Sequence, residues 1–200
     1  MEIDFRTLVV IMLSAAFVNN FVLRQFLGVC PFLGVSKELK SSVGMGLAVM
    51  FVMIMAAAVT WPIQVFLLDV NSLGFMQTVV FILVIATLVQ LVEVVLKKYI
   101  PVLFTSLGVY LPLITTNCAV LAVTISNINS GYTYVEAMIN ALGSGMGFFL
   151  AMVIFTGVRE QITSADPPDS FKGIPITLIS AAILSLAFFG FEGVIDNLFN

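Results

Sequence analysis

Long stretches of this 200-residue chain carry no charge at all, and that is the first constraint on its fold. The runs Ser41–Leu68, Val70–Val92, Tyr99–Val135, Ala137–Val158 and Gly173–Phe191 contain no Asp, Glu, Lys or Arg. Each exceeds the ~18 residues that license a bilayer-spanning helix. Apolar residues make up 60% of the chain and charged ones only 10%, against about 25% in soluble domains, so little is left to build an aqueous domain. Histidine is absent, which removes the side chain best suited to acid-base work near neutral pH. A self-contained hydrolase, kinase or nucleic-acid binder is not expected on these grounds. No glycine-rich dinucleotide fingerprint or Walker motif is present, so no direct binding of NAD, flavin or ATP is expected.

The expected fold is an all-α integral membrane protein, a single membrane domain over residues 1–200. Six spans account for the sequence: Thr7–Leu27 with an apolar continuation to Ser36, Val43–Leu67, Leu73–Leu96, Ile100–Ser126, Tyr134–Val158 and Ile174–Leu198. The first is not a cleavable signal peptide, because Met-Glu-Ile-Asp is acidic where a basic region is needed. Arg24, Lys37, Lys40, Lys97, Lys98, Arg159 and Lys172 fall in or beside alternate loops, against Arg6 alone on the other side. Basic loops stay on the cytoplasmic side, which places both termini outside.

Three spans per half force the second half, about 100–200, into the membrane inverted relative to the first, about 1–99. Traces of duplication agree. Cys30-Pro31-Phe32-Leu33-Gly34-Val35-Ser36 lies over Cys118-Ala119-Val120-Leu121-Ala122-Val123-Thr124, and Gly44-Met45-Gly46 echoes Gly145-Met146-Gly147. The first span of each half is also too long. Thr7–Ser36 and Tyr99–Asn127 are each roughly 30 residues, or ~45 Å of helix for a hydrocarbon core ~30 Å thick. Each must therefore be interrupted, with Gly28 and Pro31 around Cys30 as candidates in one, and Pro112 with Thr115-Thr116-Asn117 before Cys118 in the other. Non-helical backbone at membrane depth survives only where protein or a cavity satisfies it, so paired interruptions point to a site.

The chain's two cysteines, Cys30 and Cys118, stand at these interruptions. They can act as small apolar side chains, form a disulfide, or serve as soft ligands for iron or zinc. If the halves are related by an axis in the membrane plane, the two thiols enter from opposite faces and meet near the middle. An iron-sulfur cluster takes four cysteines, so this chain would supply half and a partner the rest.

The segments Val18–Leu23, Phe26–Lys37, Leu111–Leu121 and Arg159-Glu160 leading to Asp166-Pro167-Pro168 closely resemble the family of membrane proteins that includes the RnfA subunit of the Rnf complex. Cys30-Pro31-Phe32 and Thr116-Asn117-Cys118 are closer to the Rnf members than to the NqrE subunit of the sodium-pumping NADH:quinone oxidoreductase, which reads Cys-Thr-Phe and Thr-Val-Asn-Cys. The resemblance implies an intramembrane [2Fe-2S] cluster held by Cys30 and Cys118 together with two cysteines of the paralogous RnfE subunit. It further implies a ferredoxin:NAD+ oxidoreductase of the bacterial plasma membrane, exporting Na+ or H+, which the RnfB, RnfC, RnfD and RnfG subunits complete.

No carboxylate falls in mid-span. Glu93 precedes Lys97 by one helical turn and reads as a solvated pair. Thr115, Thr116 and Asn117 can hydrogen-bond cluster sulfurs, line an ion path or cap a half-helix, and Gly28 and Pro31 flank Cys30 as further neighbours of a bound group. Arg24 either snorkels to inner headgroups or tunes the cluster by its charge. Gly44, Gly46, Gly143, Gly145 and Gly147 have the spacing of helix-packing faces. The competing expectations are a secondary transporter with structural cysteines, and a purely structural anchor.

Overall fold

The computed structural model describes residues 5–35, 39–70, 74–99, 111–164, 168 and 171–190. Regular structure among the described residues is entirely helical. Helix α1 (Phe5–Leu13) continues as a π-helical stretch, Ser14–Val18, and α2 (Val29–Val35) follows after a non-helical segment. Helix α3 (Leu39–Ile63) ends in a second π-helical stretch, Gln64–Leu68, beyond Pro62, and a 3-10 turn, Gly74–Met76, opens α4 (Gln77–Tyr99). Helices α5 (Leu111–Thr115), α6 (Cys118–Asn129), α7 (Tyr134–Ser164) and α8 (Ile174–Phe189) complete the order.

Three helical stretches are long and apolar enough to cross a membrane: Leu39–Leu68, Gly74–Val94 and Tyr134–Ile162. Arg6–Val18, Leu113–Asn129 and Ile174–Phe189 are shorter apolar helices. Two expected spans are interrupted, the second at the expected Thr115-Thr116-Asn117 and the first earlier in the chain than Cys30-Pro31. The first helix stops at Val18 rather than Leu27, and the helical run that ends at Asn129 is broken at Thr116-Asn117. Residues 100–110, which would begin the fourth span, and 191–198, which would end the sixth, lie outside the described residues.

The core is the antiparallel pair α3 and α7. On α3, Ser42, Met45, Gly46, Val49, Val52, Met53, Ala56, Ala57 and Thr60 are buried, a stripe of alternating three- and four-residue steps that keeps one face on its neighbour. Glycine sets how closely the axes approach. A Cβ on Gly46 would lie 2.7 Å from Phe149 Cδ2, and one on Gly145 would lie 3.0 Å from Met50 Cα. At the other end of the pair Thr156 Oγ1 lies 2.8 Å from Ser42 Oγ. Where lipid replaces water, helices gain little from apolar burial as such, and close packing of small residues takes its place.

Helix α7 also packs α1, and here the two run parallel: Gly143 meets Met12, and Gly147, one turn on, meets Ala16. The gap is closed to backbone contact, because a Cβ at Gly147 would stand 2.7 Å from Ala16 O and 3.1 Å from Asn20 Nδ2. The packing expectation thus holds for Gly46, Gly143, Gly145 and Gly147. By contrast α4 leaves Val79, Ile82, Leu83 and Val94 exposed, and α8 leaves Ile174, Ile183 and Leu186 exposed.

Gly147→Val is expected to separate α1 from α7 and to cost at least the ~1–3 kcal/mol typical of overpacking, read as a lower unfolding temperature in detergent. Gly157→Val, at a position where a Cβ meets nothing within 4 Å, is the matched control and leaves that temperature unchanged.

Candidate functional site

The first interruption spans Asn19–Gly28 and is organised by one buried amide. Asn20 is 2% exposed. Its Oδ1 accepts from Val22 N (3.0 Å) and Leu23 N (3.3 Å), and its Nδ2 donates to Ala16 O (3.2 Å) and Gly147 O (2.8 Å). Four backbone groups near the broken end of α1 are satisfied in this way, which apolar surroundings demand. Further bonds hold the segment: Leu27 N donates to Phe21 O at 2.9 Å, and the Ser185 hydroxyl of α8 donates to Leu23 O. The chain then turns through positive φ at Phe26 (54°) and Gly28 (80°) into α2.

The second interruption is shorter. Helix α5 ends at Thr115, Asn117 N donates to Ile114 O at 3.2 Å, and Asn117 takes the extended conformation of an N-cap (ψ 112°). Its Oδ1 accepts from Ala119 N at 3.0 Å, starting α6 with Cys118 as first residue. The other end of the same amide, Nδ2, is buried with no hydrogen-bond partner among the described residues. An orphaned buried donor of this kind costs about 1–3 kcal/mol.

The two interruptions meet. A Cβ on Gly28 would stand 3.0 Å from Asn117 Oδ1, 3.2 Å from Ala119 Cβ and 3.0 Å from Phe148 Cε2. Glycine is thus required at position 28 twice over, for its positive φ and for this approach. The contact joins the turn that precedes Cys30 to the residues on either side of Cys118, at the middle of α7. From there the half-helices lead apart. Helix α2 runs toward the C-terminal end of α7, where Arg159 donates to Leu33 O at 2.8 Å. Helix α6 runs toward the N-terminal end, where Asn140 Nδ2 donates to Asn127 Oδ1 at 2.7 Å and Asn127 Nδ2 to Ala137 O at 3.2 Å.

Both cysteines are free thiols and both are exposed, so neither behaves as a buried apolar side chain and they are not joined to each other. No group of three or more Cys, His, Asp or Glu is gathered anywhere among the described residues, so a metal bound at the pair would take its remaining ligands from outside that set. Pro31 is buried inside the first turn of α2 and does not break the chain; its missing N–H costs nothing there. Thr115 is half-buried at the end of α5 and Thr116 is exposed in the break itself. Arg24 lies exposed within the first interruption, its Nη1 2.7 Å from Asn19 Oδ1 and its guanidinium 6.0 Å from the Phe189 ring centre. Sequence reasoning misses the joint at Asn20 and the bond from Arg159 to α2; the pair Asn19-Asn20 inside an apolar run is the available signal for the first.

A family model described as "Rnf-Nqr subunit, membrane protein" matches residues 8–195. The chain belongs to the Rnf-Nqr family. It is 54% identical over 188 residues to the A subunit of the Na+-translocating ferredoxin:NAD+ oxidoreductase complex of Acetobacterium woodii, covering 94% of this chain and 98% of that one. The A subunit of the ion-translocating oxidoreductase complex of Syntrophotalea carbinolica is 50% identical over 96% of this chain and 100% of its own length. That of Vibrio vulnificus is 46% identical over 94% and 97%. In this Rnf-Nqr chain the segments that carried the resemblance, around Cys30 and Cys118, are the ones the fold brings together.

In the chain purified without partner proteins, a flexible bis-maleimide is expected to join Cys30 to Cys118, detected as a cross-linked peptide pair by mass spectrometry. Gly28→Val, which pushes the first turn away from Asn117 and Ala119, removes most of that product.

Proposed function

We propose that this chain is the RnfA subunit of an ion-translocating ferredoxin:NAD+ oxidoreductase complex of a bacterial plasma membrane. In that role it passes electrons across the membrane through an intramembrane [2Fe-2S] cluster, coupled to export of Na+ or H+. Cys30 and Cys118 hold one half of the cluster and two cysteines of the paralogous RnfE subunit hold the other, with the RnfB, RnfC, RnfD and RnfG subunits supplying the remaining redox centres. The observation that carries this reading is the packing of Gly28 against Asn117 and Ala119, beside two exposed free thiols.

The donor set fits such a group. Thiolates are the preferred ligands of iron-sulfur clusters, and hydrogen bonds to their sulfurs set the reduction potential. Asn117, the residue before Cys118, has its oxygen fixed by the cap on Ala119 and its Nδ2 buried without a partner among the described residues. When bound, the cluster supplies one-electron transfer at mid-depth. Cys30 and Cys118 would ligate it, Asn117 Nδ2 would be the buried amide donor available to a sulfur, and Thr115 and Thr116 border the same break.

The accompanying topology is six spans in two inverted repeats, about 1–99 and 100–200, with both termini outside. It draws support from the parallel packing of α1 on α7, the antiparallel packing of α3 on α7, and the opposite courses of α2 and α6. It also places Arg159 and Lys40 on the basic, cytoplasmic side.

The test is iron content and EPR of the chain co-purified with its paralogous partner. Cys30→Ser and Cys118→Ser are each expected to lose the cluster signal and bound iron, and a signal that survives in either variant defeats the proposal. Asn117→Asp keeps the capping oxygen and removes the donor. It is expected to leave the cluster bound and to lower its midpoint potential by on the order of 60 mV, equivalent to a tenfold change in a one-electron equilibrium.

A further inference from the structure

The two thiols stand on helices of unequal strength. Cys118 opens α6, a helix of 12 residues fixed by the Asn117 cap and by Ala119, Val120 and Val123, each 0% exposed. Cys30 is the second residue of α2, a helix of only 7 residues. Since about four amide hydrogens and about four carbonyls at the ends of any helix lack a partner within it, a helix this short closes few bonds of its own. Its direction is set by whatever grips its ends. The Cys30 side chain is itself exposed, so no packing around the sulfur fixes where it points. The thiol inherits its position from α2.

Helix α7 grips both ends. At the first, Phe148 packs against Gly28 just ahead of α2, where a Cβ would stand 3.0 Å from Phe148 Cε2. At the second, the Arg159 guanidinium donates to Leu33 O at 2.8 Å, one of the late carbonyls that a helix cannot pair within itself. Phe148 and Arg159 are separated by about 16 Å of helix, whereas Gly28 and Leu33 are separated by about 8 Å. Side chains on a helix lean toward its N-terminus, so the long Arg159 stem reaches back along α7 and closes the difference. Arginine suits the place, being weakly hydrated and always charged, and its positive charge meets the negative end of the α2 dipole. Cys30 and Leu33 stand close to one turn apart on α2. Freeing Leu33 removes the tie at the far end, and α2 then tilts about Gly28 and carries the thiol with it.

We infer that Arg159 is a positioning residue: by holding the carbonyl end of α2 on α7, it fixes the direction of the Cys30 thiol relative to Cys118. The consequence for a cluster rests on the function proposed above; the effect on the two thiols does not. Lys40, Lys97, Lys98 and Lys172 also supply positive charge to the loops counted for orientation, so the direction of insertion does not hang on Arg159 alone.

The test uses the full chain in detergent. Cys30 and Cys118 are its two cysteines and both are exposed, so a thiol-specific nitroxide labels them without any substitution, and dipolar EPR reads the distribution of distances between the labels. Arg159→Met keeps an apolar stem and removes the donor; it is expected to widen that distribution about twofold. Arg159→Lys, with a donor on a long stem, is expected to recover most of the narrow distribution, and Glu160→Gln, at the exposed neighbour, to leave it as it was. A distribution in Arg159→Met as narrow as in the unsubstituted chain, one in Arg159→Lys as wide as in Arg159→Met, or equal widening in Glu160→Gln overturns the inference. If Arg159→Met does not purify as a folded chain, Arg159→Gln, whose shorter stem falls short of Leu33 O, is read by the same outcomes. In the complex with the paralogous partner, Arg159→Met is expected to broaden the EPR line of the cluster and Arg159→Lys to leave it sharp; an unbroadened line in Arg159→Met also overturns the inference. If Cys30→Ser keeps the cluster signal, the redox proposal fails while the distance result stands by itself. If the distances do not change, the positioning role fails while the cluster signal stands.

Discussion

Backbone amides that leave a helix inside apolar surroundings must find partners within the protein, and the rest of this structure is arranged around that demand. Two asparagines meet it. Asn20 bonds two amide hydrogens ahead of it and two carbonyls, one in its own helix and one on α7. Asn117 caps α6 through Ala119 N and leaves its second donor unspent. The difference between them has a physical meaning. Asn20 is fully occupied and acts as a fixed joint between α1 and α7. Asn117 is half occupied, and its unsatisfied end is buried in the break that precedes Cys118.

Helix α7 is the frame on which both joints are hung. Its glycines serve two faces: Gly143 and Gly147 admit α1, while Gly145 admits α3. Because a glycine contact brings backbone to backbone, the Gly147 carbonyl comes within reach of Asn20. The same closeness carries Gly28 to Phe148 and so to Asn117. Helix packing and the geometry of the site are therefore one constraint. Enlarging a small residue on α7 disturbs the thiol-bearing turns through the backbone, without touching either cysteine.

Much of this is legible in the residues, and what is not has identifiable causes. Charge-free runs mark the long helices, and length against bilayer thickness requires an interruption in each first span. At Thr116-Asn117 the break stands where the sequence places it, because an Asn before an apolar run is a strong N-cap signal. In the first span Pro31 is the conspicuous residue, yet the break lies ahead of it at Asn19–Gly28. Proline is tolerated in a first turn, so it marks where α2 begins, and the actual rupture rests on a side-chain network to Gly147 across more than half the sequence. Periodicity carries no information about such distant bonds. For the same reason Arg159 reads in the sequence as a loop charge that sets orientation, whereas its guanidinium also closes the carbonyl end of α2 at Leu33. An inverted repeat leads one to expect that the turns bearing Cys30 and Cys118 meet, but the contact that brings them together, Gly28 on Asn117 and Ala119, depends on a positive φ that sequence spacing does not reveal.

The segment Asn19–Gly28 borders two things at once. Its first half contributes Asn19, Phe21 and Gln25 to the wall of a polar cavity of about 330 Å³ that α1, Ser126, Ser130, Tyr132 and Asn140 complete, and its last residue packs on the turn that carries Cys118. It is not helical, so displacing it costs side-chain hydrogen bonds rather than a helical ladder. Its tethers are discrete: Asn20 to Gly147, Leu27 to Phe21, Ser185 to Leu23. Elements held by a few specific bonds have few stable arrangements, and interfaces of this kind switch between states instead of deforming smoothly. A change of charge at the thiols that moved Gly28 would therefore reach the cavity wall within ten residues of chain, through a segment whose near end is pinned by Asn20.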